Sequence, residues 1–274
     1  MRIDSHQHFW KFDPVRDAWI DESMLNIKRD FLPKDLQSIL EKNKIDGCVA
    51  IQADQSTEET RFLLDHSAKN RFIKGVVGWV DLCDQKVGDT LNDYAKNPLF
   101  KGVRHIVQAE GKGFMLRDDF QRGIAQLKDF DLTYDILIYP NQLEEAITLV
   151  NKNPDQAFVL DHMAKPYIKD KKIIDWSKAI LALGSFKNVY CKLSGFVTEG
   201  NWKSWEKSDF QDYLEIVLKA FGVDRLMFGS DWPVCLLAAE YSQVLEIIED
   251  FLIPLSDADK NKIMGGNAYK FYKL

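Results

Sequence analysis

The strongest constraint on the fold is an alternation. Short apolar runs and longer segments of helical period take turns from one end of the chain to the other. The runs are Met1 to His8, Gly47 to Gln52, Ile73 to Val80, Phe100 to Ile106, Leu132 to Ile138, Ala157 to Leu160, Val189 to Leu193 and Arg225 to Phe228. Between and after them, helices are predicted at Pro33 to Lys42, from the capping box Ser56-Thr-Glu-Glu59, at Val87 to Lys96 and at Asp119 to Phe130. Others follow from the cap Asn141-Gln-Leu-Glu144, whose helix carries a Leu143, Ala146, Ile147, Val150 stripe, and at Trp176 to Leu183, Phe210 to Phe221, Tyr241 to Phe251 and Asp257 to Phe271. Strict alternation implies a parallel sheet in the α/β class, and eight units closing on themselves give a (β/α)8 TIM barrel. The 274 residues suit one such domain, 1–274, with no linker to divide it. An open doubly wound sheet is the alternative, weakened because no glycine-rich phosphate loop follows any strand.

Charge narrows the partners. The net charge is −6, and Lys169-Asp-Lys-Lys172 is the only basic cluster, which argues against nucleic acid or an anionic membrane. No apolar run is long enough to span a bilayer and the N-terminus lacks the order of a signal peptide, so the expected address is the cytoplasm. Cys48, Cys83, Cys191 and Cys235 show no paired spacing and are expected to be reduced thiols. Oligomerisation stays open.

In such a barrel the side chains at the C-terminal strand ends share one pocket. The first strand brings His6 and His8, which in extended backbone point the same way and form a pincer for a metal or a reacting oxygen; a frayed pair of surface histidines is the alternative. Later strands bring Gln52, Trp79 and Asp81, Arg104 and His105, Tyr134 and Asp135, Asp161 with His162 and Lys165, Lys192 and Ser194, and Asp231 with Trp232. Arg104 and His105 are adjacent and cannot share a face; Arg104 is expected to enter the pocket. His66, mid-helix, is expected to be structural, and Lys11 to Phe31 to be a loop lying over something.

Four stretches together, Asp4-Ser-His-Gln-His8, Lys101-Gly-Val-Arg-His105, Leu160-Asp-His-Met-Ala-Lys-Pro166 and Gly229-Ser-Asp-Trp-Pro233, resemble the amidohydrolase superfamily. Within it the chain is similar to the branch of sugar-lactone hydrolases that act on fucono- and rhamnono-lactones. The resemblance spans nearly the whole chain, through Gly266-Asn-Ala268. It implies the barrel, a metal set of His6, His8, His162 and Asp231, and Asp231 as general base. Dinuclear relatives need a bridging Lys or Glu on strand four and a His on strand five, where this chain has Arg104-His105 and Tyr134-Asp135. The expectation is therefore one divalent ion, zinc, or none.

Lactone opening requires a deprotonated water, a clamp on the carbonyl oxygen and a proton for the leaving alkoxide. Asp231 is expected to be the base; His162, Arg104 and Lys165 share the other two tasks. Only Arg104 is available to pair a carboxylate, so the expected substrate is a small neutral sugar lactone rather than a dicarboxylate. Trp10, Trp79, Trp202 and Trp232 offer flat faces for a sugar ring, and Gln52, His105 and Tyr134 complete the expected contacts. A metal-dependent decarboxylase and a non-catalytic sugar-acid-binding barrel are the alternatives.

Overall fold

The computed structural model describes all residues, 1–274. Eight strands run in chain order around the sheet: β1 (Ile3–Gln7), β2 (Gly47–Ile51), β3 (Ile73–Gly78), β4 (Phe100–Ile106), β5 (Thr133–Leu137), β6 (Phe158–Leu160), β7 (Val189–Leu193) and β8 (Leu226–Phe228). Every neighbouring pair is parallel, as crossovers through helices require. The principal helices are α1 (Pro33–Lys42), α2 (Thr57–Lys69), α3 (Val87–Ala95), α4 (Asp118–Leu127), α5 (Leu143–Lys152), α6 (Ile174–Gly184), α7 (Ser208–Phe221) and α8 (Tyr241–Phe251), with α9 (Asp257–Asn261) and α10 (Asn267–Tyr272) at the end of the chain. No ladder joins β8 back to β1. The barrel closes just beyond β8, where Asp231 N–H donates to the His6 carbonyl at 2.8 Å and His8 N–H to the Trp232 carbonyl at 2.7 Å.

Apolar side chains fill two regions. The larger lies between strands and helices; the smaller fills the barrel interior, where Ile3, Val49, Val77, Val159 and Met227 meet Phe271 and Tyr272 of α10. The last helix thus plugs the N-terminal mouth. A single helix from Asp257 to Phe271 was expected, but Lys262–Gly266 forms a π-helical turn that divides it. A Cβ on Gly265 would stand 2.4 Å from the Met1 carbonyl oxygen, so the chain must bend past the start of β1. The cap of α5 also differs from expectation. Pro140, with fixed φ and no N–H, opens a turn ahead of Asn141, and Gln142 Oε1 accepts from Tyr139 N–H at 3.0 Å. Ser56 caps α2 as expected, its Oγ accepting from Glu59 N–H at 3.1 Å.

The long first loop arches over the opposite, C-terminal mouth. Trp10 and Phe31 exchange backbone hydrogen bonds of 2.9 Å at its base, and Trp10 Nε1 donates to the Arg29 carbonyl. Its ends are held together by that bridge, and Trp10 packs edge-on against Trp19 and Phe31 within it. All four cysteines are free, and no helix is long and apolar enough to cross a membrane.

Asn267 ties α10 to the barrel by donating from Nδ2 to the Val223 and Leu226 carbonyls at 2.8 and 2.7 Å. Asn267→Ala leaves buried acceptors unpaired, and urea unfolding should show a loss of about 1–3 kcal/mol.

Candidate active site

The site starts from a slip in β1. Ile3 packs in the barrel interior, and in regular strand a residue three further on would face outward. The register shifts between Asp4 and Gln7, which turns both His6 and His8 inward and brings their Nε2 atoms to 3.2 Å. His8 Nδ1 lies 2.9 Å from the Ile51 carbonyl. A carbonyl only accepts, so Nδ1 carries the proton and the Nε2 lone pair is free.

Asp231 is aimed at these rings by the barrel closure itself. Its backbone is left-handed, φ +58°, and its N–H is held by His6. The preceding residue is clamped from the other side: Asp4 accepts from Ser230 N–H at 2.9 Å, from Ser230 Oγ at 2.6 Å and from Tyr241 Oη at 3.1 Å. Burial pushes the Asp4 carboxyl up to about 6 despite those bonds. Glycine is required at 229, where a Cβ would lie 2.7 Å from His6 Cβ.

His162 and Lys165 reach the cavity through an unusual turn. Residues His162, Met163, Ala164 and Lys165 are all left-handed, with φ of 53°, 54°, 59° and 50°. For non-glycine residues this costs about 1–2 kcal/mol each, so the surrounding contacts must hold it. Trp176 Nε1 donates to the Met163 carbonyl at 2.8 Å, Ser194 Oγ meets His162 Nδ1 at 2.9 Å, and Lys165 Nζ pairs with Glu199 at 3.1 Å.

Three imidazoles and one carboxylate therefore converge. Asp231 Oδ1 is 3.3 Å from His8 Nε2 and 3.8 Å from the Nε2 atoms of both His6 and His162. Burial keeps His6 and His162 neutral, well below the usual histidine range. Burial alone would raise Asp231, but the polar groups around it, the Lys165 ammonium among them, outweigh it and hold the carboxyl low. Neutral imidazole nitrogens and an ionised carboxylate within a few ångströms suit a borderline-soft divalent ion such as zinc. His6, Asp161 and His162 also cluster, yet Asp161 is committed to Lys192 at 2.9 Å and Arg104 at 3.1 Å. Those two cations fill the floor, so the donors fit one ion and not a pair.

A cavity of about 460 Å³ opens above this group, within the range of small-molecule sites. His8, Arg104, His162, Lys165 and Asp231 form its polar side; Trp10, Trp19, Met24, Ile106, Leu137, Tyr139 and Val234 line the rest. Several expected contacts are elsewhere. Trp232 is buried edge-on against Phe9 and Phe31, because the closing bonds turn it under the first loop. Tyr134 alternates outward from Asp135 and packs on Phe120 and Phe158. Gln52 spends its amide on the Arg104 carbonyl at 3.2 Å. His105 faces the helix layer, stacked on Phe114 and bonded to Trp79 Nε1 at 3.2 Å and Glu110 at 2.8 Å; the pair satisfies itself outside the cavity. Trp202 lines a separate cleft with Tyr167 and Asn201. Arg104 does reach the cavity, but its Nη1 is held by Asp161 and its Nη2 by the Gln52 carbonyl. Trp19, Met24 and Tyr139 were not anticipated, since nothing in a loop's composition says which side chains turn inward. Lys192 and Asp161 were visible as strand-end residues, without a sign that they pair.

The (β/α)8 fold and the inward histidines place the chain among barrel hydrolases, and it belongs to the amidohydrolase family, whose model matches residues 3–274. It is similar to the L-fucono-1,5-lactonase of Burkholderia multivorans, 36% identical, with 100% of this chain and 96% of that protein covered. The L-fucono-1,5-lactonase of Burkholderia ambifaria is 32% identical over the same shares of each chain, 100% and 96%. A crystal structure of an amidohydrolase from Burkholderia multivorans with bound zinc superposes with a TM-score of 0.97 at 36% identity, covering 100% of this chain and 99% of that one.

Gly195 sits beside His162 with φ +62°, and a Cβ there would stand 2.4 Å from His162 Nδ1. Gly195→Ala should displace the ring and lower kcat/KM by about 10²-fold, with far-UV circular dichroism unchanged.

Proposed function

We propose that this protein is a hydrolase that opens sugar lactones, of the L-fucono-lactone kind, to the corresponding sugar acids. The observation that carries this reading is the single converging group of His6, His8, His162 and Asp231 at the base of a cavity with one polar and one apolar side. Relatives named L-fucono-1,5-lactonase over the full length of the chain support it.

Asp231, held ionised, takes a proton from the water that attacks the lactone carbonyl carbon. Lys165 stands at the cavity wall as an ammonium; burial opposes its charge, but Glu199 and Asp231 more than compensate. It donates to the carbonyl oxygen as negative charge develops, the kind of preorganised donor worth about 10²–10³ in rate. Arg104, tied down by Asp161, adds a fixed positive field rather than a mobile clamp. When the ring C–O bond breaks, the Lys165 ammonium gives a proton to the alkoxide and is restored by the proton that Asp231 took from the water. Zinc held by His6, His8, His162 and Asp231 would supply a Lewis-acid charge at the same oxygen. The ring itself lies between Trp10, Trp19 and Tyr139, whose apolar faces suit the C–H side of a neutral sugar. No free arginine fork faces the cavity for a carboxylate-bearing substrate, which disfavours the decarboxylase alternative.

Assay of the purified protein on a panel of sugar lactones should give acid release on 6-deoxy aldonolactones. Asp231→Asn should lower kcat by about 10²–10⁴. Sugar-lactone turnover equal in the two proteins would overturn the assignment. Exhaustive chelation should remove activity and one equivalent of zinc should restore it; full activity in verified metal-free protein would show that the side chains act alone.

A further inference from the structure

A second concavity shares a wall with the reaction cavity and has no task in the opening of a simple lactone. It is a cleft of about 520 Å³ between the loops that follow β6 and β7, on the same C-terminal side of the barrel. Lys165 lines the cavity and Glu199 lines the cleft, and the ion pair between them, 3.1 Å from Nζ to Oε1, is the partition. Both side chains keep some exposure, 15% and 21%, so a molecule reaching from one hollow into the other meets them on the way.

The walls of the cleft are pinned in place. Lys169 N–H donates to the Glu199 carbonyl at 3.0 Å and joins the two loops, and the loop after β6 closes on itself through a bridge between Tyr167 and Lys172. Trp202 Nε1 donates to the Thr198 carbonyl at 2.7 Å. With its one donor spent inside its own loop, the indole has only apolar ring surface left to offer. Tyr167, 40% exposed, supplies a second ring. Lys169 and Lys203 are matched by Asp170 and Glu199, so the lining carries no net sign, and Asn201 adds an amide. Aromatic rings among hydrogen-bonding groups of balanced charge suit a neutral polyhydroxylated ring rather than an anion.

We propose that this cleft is an outer sugar subsite and that the protein opens glycosylated aldonolactones. The lactone ring occupies the cavity, a neutral hexosyl unit rests on Trp202 and Tyr167, and the glycosidic link passes over Lys165 and Glu199. The glycosidic bond stays intact: water adds to the lactone carbonyl carbon, the ring C–O bond breaks, and the product is the glycosylated sugar acid. The inference rests on the lactonase reading of the cavity.

Rates on glucono-1,5-lactone and on its α- and β-glycosylated counterparts, maltobiono-, cellobiono- and lactobiono-1,5-lactone, each corrected for spontaneous opening, test it. At least one disaccharide lactone should exceed the monosaccharide by about 10-fold in kcat/KM, through a lower KM at similar kcat, as binding shared by ground and transition states requires. Trp202→Ala and Tyr167→Ala should each bring that ratio toward one, and the ratio does not depend on how much of a variant folds. Disaccharide lactones no better than glucono-lactone, or a preference that survives both substitutions, overturn the outer subsite and leave the lactonase reading standing. Absence of turnover on every lactone, L-fucono-1,5-lactone included, overturns that reading and the subsite with it.

Discussion

Two backbone hydrogen bonds hold the rest of this structure in register: Asp231 N–H to the His6 carbonyl and His8 N–H to the Trp232 carbonyl. They close a barrel whose first and last strands share no ladder. Because three of the residues that exchange them, His6, His8 and Asp231, also form the proposed site, the closure of the fold and the assembly of the site are one event. Asp4 strengthens the seam by holding Ser230 through both backbone and hydroxyl. A chain that failed to close would scatter the imidazoles and the carboxylate together.

Around that seam the protein concentrates strain and charge that its outer layers avoid. Four successive left-handed residues deliver His162 and Lys165, and Gly229 and Gly195 allow backbone to approach the rings more closely than any side chain permits. Buried cations and carboxylates alternate beneath: Lys192 between Asp135 and Asp161, Arg104 on Asp161, Lys165 on Glu199. Each charge is compensated by a neighbour, so desolvation is offset locally, and the two cations at the floor take the space a second metal ion would need. The apolar cavity wall comes from the first loop, a separate element laid over the same mouth.

The alternation of apolar runs and helical periods was enough to read the eight strands and their order. The strand-end rule brought out His6, His8, Arg104, His162, Lys165 and Asp231, all of which meet at one mouth. The same rule misplaced Trp232, Tyr134, Gln52 and His105, because a strand-end position does not say which way a side chain turns. Tyr134 follows from strand alternation once Asp135 is known to face inward; Trp232 depends on the closing bonds and has no local signal. The break at Gly265 escaped for a similar reason, since the obstacle is the other end of the chain.

Periodicity and strand ends are local properties that survive in one dimension, and they carry the architecture and the kinds of groups available. Which groups touch depends on contacts between strands distant in the chain. The inward turn of His6 comes from a slip in β1, the aim of Asp231 from the closure with that strand, and the pairing of Lys192 with Asp135, Asp161 and His6 from strands far apart in the chain. Register and closure are set by the packing of the whole barrel, and no window of residues contains them.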